Sequence, residues 1–441
     1  MSGGEPRRTV GAVTAAGLVV ASMVGGGVFI TTGGLLERVP SGPGVLLAWI
    51  VGGLAALSGA LSYAELGVAL ASNGGEYHYL SRLYHPALGF VSAWVSLVVG
   101  FAAPASAIAV VFGYYVREFV PAFAPKPVAA VTLLVLSAMS AWRVSASARF
   151  QNAMTYAKVL LVLGLAILAL RYGDTSRLLH STEALAPIVT SGRFAAGLLL
   201  VSFAYTGWNA SSYIAGEVDR PDVVLPRALV GGTLAVTLLY LLLNAGLLAA
   251  APMDTLRGQF EVARLAFIHL LGPRGGGLVA GIIAAGFVST IGAMIVTGPR
   301  VYEAVGRDYP RLSWLAMRRD GGGPLAATAL QCGISLLLLA FDPTKLIEYI
   351  EFTLSITAAL AVGGVFVLRR RGLTGSFRTP GYPVTPLVFI AIMLVTAVSL
   401  VMQRPLSVAL GLCTVLAGLA VWWLVRPRAD RLEPRASSSP R

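Results

Sequence analysis

Ser22-Met23-Val24-Gly25-Gly26-Gly27-Val28-Phe29 lies inside the first long apolar run of the chain, which extends from Val10 to Leu36. Three consecutive glycines weaken a helix by about 1 kcal/mol each relative to alanine. Close packing of small residues between helices would account for an isolated glycine. Here a second interruption argues for broken helices. Ser202-Phe203-Ala204-Tyr205-Thr206-Gly207-Trp208-Asn209 mixes polar and aromatic residues with a glycine inside the sixth apolar run.

The sequence around these stretches is that of a chain folded in lipid. It is 56% hydrophobic and 12% charged, with a mean hydropathy of +0.77. A soluble domain of this length needs far more charge to cover its surface. Apolar runs recur at 10–36, 43–70, 86–116, 127–143, 150–171, 194–215, 226–250, 276–304, 324–341, 345–369, 384–402 and 406–425. Each is close to the ~20 residues that cross a bilayer core as a helix. The fold expected is an all-α integral membrane protein of about twelve transmembrane helices, since backbone groups in lipid must be satisfied within helices. The segment 257–271 is too charged and too short to span, and reads as an amphipathic helix on one membrane face.

The net charge of +13 does not point to nucleic acid, because the basic residues sit in short loops between spans. With the N-terminus inside, inner loops hold Arg7, Arg8, Arg82, Arg143, Arg149, Arg220, Arg300, Arg319 and Arg369 to Arg371, and outer loops hold fewer. The excess is roughly twofold and puts both termini in the cytoplasm. The short basic lead Met1–Arg8 precedes a run too long for a cleaved signal peptide. Residues 1–9 are then a cytoplasmic N-terminus, and 426–441, rich in Arg, Ser and Pro, a disordered tail. Cys332 and Cys413 lie in apolar runs without disulfide or metal spacing. His78, His85, His180 and His269 show no ligand spacing, so no metal and no cofactor are expected.

The interrupted spans are the first and the sixth. Five spans separate their starts, so the two have opposite topologies. That is the pattern of a five-plus-five inverted repeat with the substrate at the paired breaks: 10–171 and 194–369, followed by helices 11 and 12 over 384–425. A broken helix offers free N–H groups and partial positive charge where its second half begins. The end of its first half offers free carbonyls. A zwitterionic amino acid fits both without any ionised side chain.

These motifs resemble the amino acid–polyamine–organocation superfamily of transporters. Val24-Gly25-Gly26-Gly27-Val28-Phe29 is similar to its helix 1 element, and Phe203 to Trp208 to its helix 6 break. Glu217-Val218-Asp219-Arg220-Pro221 with Leu225-Pro226-Arg227 resembles the loop signature that follows. Ser62-Tyr63-Ala64-Glu65-Leu66, Gly74-Gly75-Glu76-Tyr77 and Thr297-Gly298-Pro299-Arg300 match in the same order. The resemblance implies the leucine-transporter-type fold. It also implies that the amides of Gly26 and Gly27 bind a carboxylate, and that the carbonyls of Met23, Phe203, Ala204 and Thr206 bind an ammonium. Phe203 would act as an aromatic lid. Two departures stand out: Gly26 replaces a usual Ser or Ala, and Arg220 replaces a usual Asn.

Lys158 is the one basic residue placed within a span, and an intramembrane charge is a functional candidate. Snorkelling to the interface is the ordinary alternative. The resemblance puts Lys158 where sodium-coupled relatives hold a cation, near Ser289 and Thr290, implying sodium-independent transport by proton coupling or exchange. Ala102, Ala103, Ser106, Trp208 and Asn209 are candidates for the side-chain pocket. Glu65, Glu76, Glu217 and Arg300 are candidates for a cytoplasmic gate or ordinary helix-end charges. Glu348 and Glu351 are read at the outer end of span ten, facing either the vestibule or water. With no acidic residue in the central segments, neutral amino acids are the expected cargo.

The expected function is secondary active transport of amino acids by alternating access across the plasma membrane. Partners are the amino acid, the lipid bilayer and, for proton coupling, protons. The alternative cargo is a polyamine or other organic amine. A channel or a nutrient receptor is the alternative from another class. No HExxH, Walker or GxSxG motif is present, and no catalytic residues are expected.

Overall fold

The computed structural model describes residues 10–142, 147–318, 324–373 and 375–426. The N-terminal segment 1–9, Arg143, Arg319 and the tail beyond Arg426 lie outside the described residues.

The first span forms in two pieces. Helix α1 (Ala12–Met23) ends where Val24, Gly25 and Gly26 leave the helix. Helix α2 (Gly27–Arg38) restarts with a bend of 43°. Ser41 then opens α3 (Gly42–Ala69) by accepting the Gly44 amide, with Pro43 in the first turn. Helix α4 (Glu76–Leu83) follows Gly74 and Gly75, whose φ angles of 112° and 52° suit glycine. Helix α5 (Pro86–Val95) passes through a seven-residue π-helical stretch, Ser96–Ala102, into α6 (Ala103–Phe119). Such stretches widen a helix locally and often mark functional positions.

Helices α7 (Pro125–Trp142) and α8 (Ser147–Tyr172) precede the short α9 (Leu185–Thr190). Helix α10 (Gly192–Tyr205) stops inside the second interrupted stretch, and a 3-10 segment, Ala210–Glu217, follows. Arg220, the one non-glycine residue with positive φ (43°) among the described residues, caps α11 (Pro221–Ala250). After α12 (Met253–Leu256) comes α13 (Val262–Asp308), kinked at Gly272, where φ is 77°. The kink separates Val262–Leu271 from the apolar run beyond it. The expected amphipathic helix therefore begins five residues later than 257, after a turn at Gly258. Helices α14 (Leu325–Leu338), α15 (Pro343–Arg370), α16 (Val384–Gln403) and α17 (Pro405–Val425) complete the chain.

Among the described residues, eight helices are long and apolar enough to cross a membrane, and the bent pair α1–α2 qualifies as a ninth. No strand occurs among them. Helices α7, α10 and α14 are shorter apolar segments. The molecule is a multi-pass membrane protein. Its core surrounds the two interruptions. Helix α11 packs on α1, α3 and α8 and brings Tyr240 against Trp49 and Tyr205, with ring centroids 5.3 and 5.4 Å away. Helices α16 and α17 leave Met402, Leu416 and Trp423 exposed, as a lipid-facing surface requires.

Candidate functional site

The two interruptions meet. A Cβ added to Gly27 would lie 2.8 Å from the Cα of Ala204, and one added to Gly207 would lie 2.8 Å from the backbone carbon of Ser22. Only glycine permits such approaches of backbone to backbone. Gly207 also has φ of 104°, which glycine adopts at no steric cost. Each break thus supplies one glycine against the other helix.

Gly26 is the N-cap of α2 and Gly27 its first residue, so their amides have no carbonyl a turn earlier in α2. The space a Gly26 side chain would use is filled by Ile108 of α6 and Phe287 of α13, at 3.1 and 3.2 Å from an added Cβ. This gives the departure from Ser or Ala a physical reason. On the other side, the carbonyls of Met23 and Ala204 face one phenol. Tyr240 donates to the Met23 carbonyl at 2.6 Å and lies 3.2 Å from that of Ala204. Met23 also accepts from the Gly25 amide at 2.7 Å, and the Phe203 carbonyl accepts from the Thr206 amide at 3.2 Å.

Phe203 is buried in α10. Trp208 packs edge-on against Tyr63, with centroids 4.7 Å apart, and touches Phe389 of α16. Asn209 donates to Glu76 at 3.0 Å, and Tyr63 donates to the same oxygen at 2.7 Å. Glu76 is buried, so these donors offset the desolvation of its carboxyl group. Ala103 is buried at the start of α6. The buried hydroxyls of Ser106 and Ser289 have no hydrogen-bond partner among the described residues.

Lys158 is buried in α8 and donates to the Thr290 hydroxyl at 3.0 Å, while Thr290 donates to the Gly286 carbonyl at 3.0 Å. This side chain therefore ties α8 to α13 beside Gly25, whose added Cβ would meet Thr290 at 3.1 Å. A cavity of about 10 Å³, enough for one water, lies among Lys158, Gly25, Phe29 and Thr290. The larger cavity, about 290 Å³, is apolar and lies towards α17, away from the breaks.

Among the described residues, the gate candidates Glu65, Glu217 and Arg300 have separate surroundings, with no hydrogen bond or ion pair joining them. Glu65 accepts two bonds from Arg369 at 2.8 and 2.9 Å and one from the Thr379 amide at 2.7 Å. Glu217 accepts from Asn73 at 2.9 Å, and Arg300 is exposed.

Glu351 corrects a sequence expectation. It does not face water from the end of its span. It is buried in α15 and accepts from the Thr206 hydroxyl, the C-cap of α10, at 3.1 Å. The premise that no acidic side chain lies beside the breaks therefore fails. Tyr240 and Glu351 were missed as site residues. Tyr240 carries a signal, a phenol in the middle of a thirty-residue apolar helix, where its hydroxyl must find a partner.

The sequence model of the family described as Amino acid permease matches residues 10–423. The chain belongs to that family. The resemblance drawn from the glycine run and the helix 6 stretch is borne out over nearly the whole permease. Among its relatives is the serine/threonine exchanger SteT of Bacillus subtilis, 28% identical over 431 residues, covering 96% of this chain and 98% of that protein. The human large neutral amino acids transporter small subunit 2 is 28% identical over 438 residues, covering 95% of this chain and 80% of its own. The mouse Asc-type amino acid transporter 1 is also 28% identical, over 445 residues, with 96% and 83% covered.

Proposed function

We propose that the permease exchanges neutral amino acids across the plasma membrane by alternating access, independently of sodium. The observation that carries this is the contact of the two interrupted helices, Gly27 against Ala204 and Gly207 against Ser22. Their junction exposes amides of one sign and carbonyls of the other, which matches a zwitterion. In this reading Gly26 and Gly27 take the carboxylate. The carbonyls of Met23, Phe203, Ala204 and Thr206 take the ammonium, with Tyr240 yielding its place. Phe203, Trp208, Asn209, Ala103 and Ser106 surround the side chain. The names of the relatives support a neutral cargo and exchange.

Twelve spans in a five-plus-five inverted repeat complete the proposal, with α7, α10 and α14 crossing as short spans and both termini cytoplasmic. Lys158, hydrogen-bonded to Thr290 where α8 and α13 flank the first break, holds a fixed positive charge in place of a sodium ion. The first, second, sixth and seventh spans rock against the third, fourth, eighth and ninth around the bound amino acid.

The test is counterflow. Proteoliposomes loaded with unlabelled serine are expected to accumulate labelled serine from sodium-free medium, and empty vesicles to take up little. Equal uptake by loaded and empty vesicles would overturn exchange. A strict need for sodium would overturn the role given to Lys158.

A further inference from the structure

Two buried glutamates lie three residues apart on α15, and the structure treats them differently. Glu348 accepts from Arg38 at 3.1 Å and forms a second ion pair with Arg404 at 3.2 Å. Glu351, 7% exposed, has no arginine, lysine or histidine ion pair among the described residues, and its hydrogen-bond donor there is the Thr206 hydroxyl. An ionised carboxylate offers about four acceptor positions, and one hydroxyl fills one of them. Leaving the rest unfilled inside a membrane protein is costly, and such residues are kept where a ligand uses them.

The position of the unfilled group is informative. Thr206 ends α10 two residues after Ala204, the residue that touches Gly27. Its backbone belongs to the break, and its side chain presents the break to α15. Glu351 therefore stands one hydroxyl away from the groups that would hold a substrate backbone. Phe203 and Trp208, from the same stretch, supply apolar walls.

We propose that Glu351 is a specificity-determining acceptor for a hydrogen-bond donor on the substrate side chain, a hydroxyl or an ammonium. This rests on the amino acid exchange proposed above and specifies the side chain: a hydroxyl keeps the cargo neutral, and an ammonium would replace that part of the reading. A site built around such an acceptor disfavours an isostere that lacks the donor, because the carboxylate is then left unpaired. An apolar pocket would show the opposite order.

The experiment is competition against labelled-amino-acid counterflow, using isosteric pairs: serine against 2-aminobutyrate, threonine against valine, and 2,4-diaminobutyrate against norvaline. The donor-bearing member of at least one pair is expected to compete about tenfold better or more. The pair that shows it distinguishes a hydroxyl from an ammonium. In Glu351→Leu the preference is expected to vanish while 2-aminobutyrate, valine and norvaline are still exchanged. In Glu351→Gln, which keeps an acceptor but no charge, a hydroxyl preference persists and an ammonium preference is lost. Should Glu351→Leu bind but not exchange, the same pairs are compared on wild type and Glu351→Leu by ligand-induced thermal shift, where the preference is again expected to vanish. No preference in wild type, or one unchanged in Glu351→Leu, overturns the proposal while exchange itself stands. Absence of any amino acid exchange by wild type would overturn the underlying function instead.

Discussion

The Tyr240 hydroxyl sits 2.6 Å from the Met23 carbonyl and joins the end of the first half-helix to the seventh apolar run. Its single proton cannot fully serve both Met23 and Ala204, and the shorter contact takes it. Tyr240→Phe removes a donor from two buried carbonyls, a change worth about 1–3 kcal/mol. The purified variant is expected to melt at lower temperature. Because the two carbonyls no longer bind a phenol, saturating substrate should raise its melting temperature by more than it does in wild type. An equal or smaller shift would show that the phenol and the ammonium do not share those carbonyls.

The glycines at the breaks predict a graded series. Gly27→Ala and Gly207→Ala push a methyl group into backbone at 2.8 Å, and are expected to reduce exchange at least about tenfold, the rate cost that misplacing binding groups by fractions of an ångström can bring. Gly26→Ala meets only the side chains of Ile108 and Phe287 at 3.1–3.2 Å, so a milder loss is expected. Gly17→Ala and Gly231→Ala meet nothing within 4 Å and should leave exchange unchanged, with stability up by roughly 1 kcal/mol or less. Uniform effects across the five would refute a role for close approach.

Removing the Lys158 charge should matter more than removing its partner. Lys158→Ala is expected to abolish most exchange, and Thr290→Ala to reduce it only severalfold, since the ammonium remains and loses one hydrogen bond. Uptake in proteoliposomes at several pH values is the measurement. Full activity of Lys158→Ala with an unaltered pH profile would remove the case for a fixed charge there.

Arg220 holds φ at 43° in front of α11, a conformation that costs an ordinary L-residue about 1–2 kcal/mol and asparagine less. Its side chain is exposed, so little packing is at stake. Arg220→Asn is expected to stabilise the protein by roughly 0.5–1 kcal/mol, read as a higher melting temperature with exchange unchanged. A lower melting temperature would mean that the guanidinium contributes more than the backbone conformation costs.

What the sequence made legible was local. A run of three glycines and a polar-aromatic stretch with one glycine weaken a helix, and α1 and α10 end inside the two quoted stretches, whereas Gly275 to Gly277 stay helical in α13. Lys158 was legible because a charge in an apolar run must find a partner, and Thr290 is that partner. Glu351 was not legible. Eight residues from the start of α15 places it only about 12 Å along the helix, at 1.5 Å per residue, which suggests an end position. That the shorter α10 stops at the same depth is a tertiary fact. Glu65 shows the same limit: its partner Arg369 lies 304 positions away, and no spacing rule reaches so far.

Glu65 holds both Arg369, at the last turn of α15, and the amide of Thr379, in the connector that leads to α16. Three bonds to one carboxylate, two from α15 and one from the connector, fasten both to α3 like a tether. If α3 swings during a transport cycle, the tether either lets go as a unit or tows the final two helices along, so these late segments become passengers of the motion or its brake.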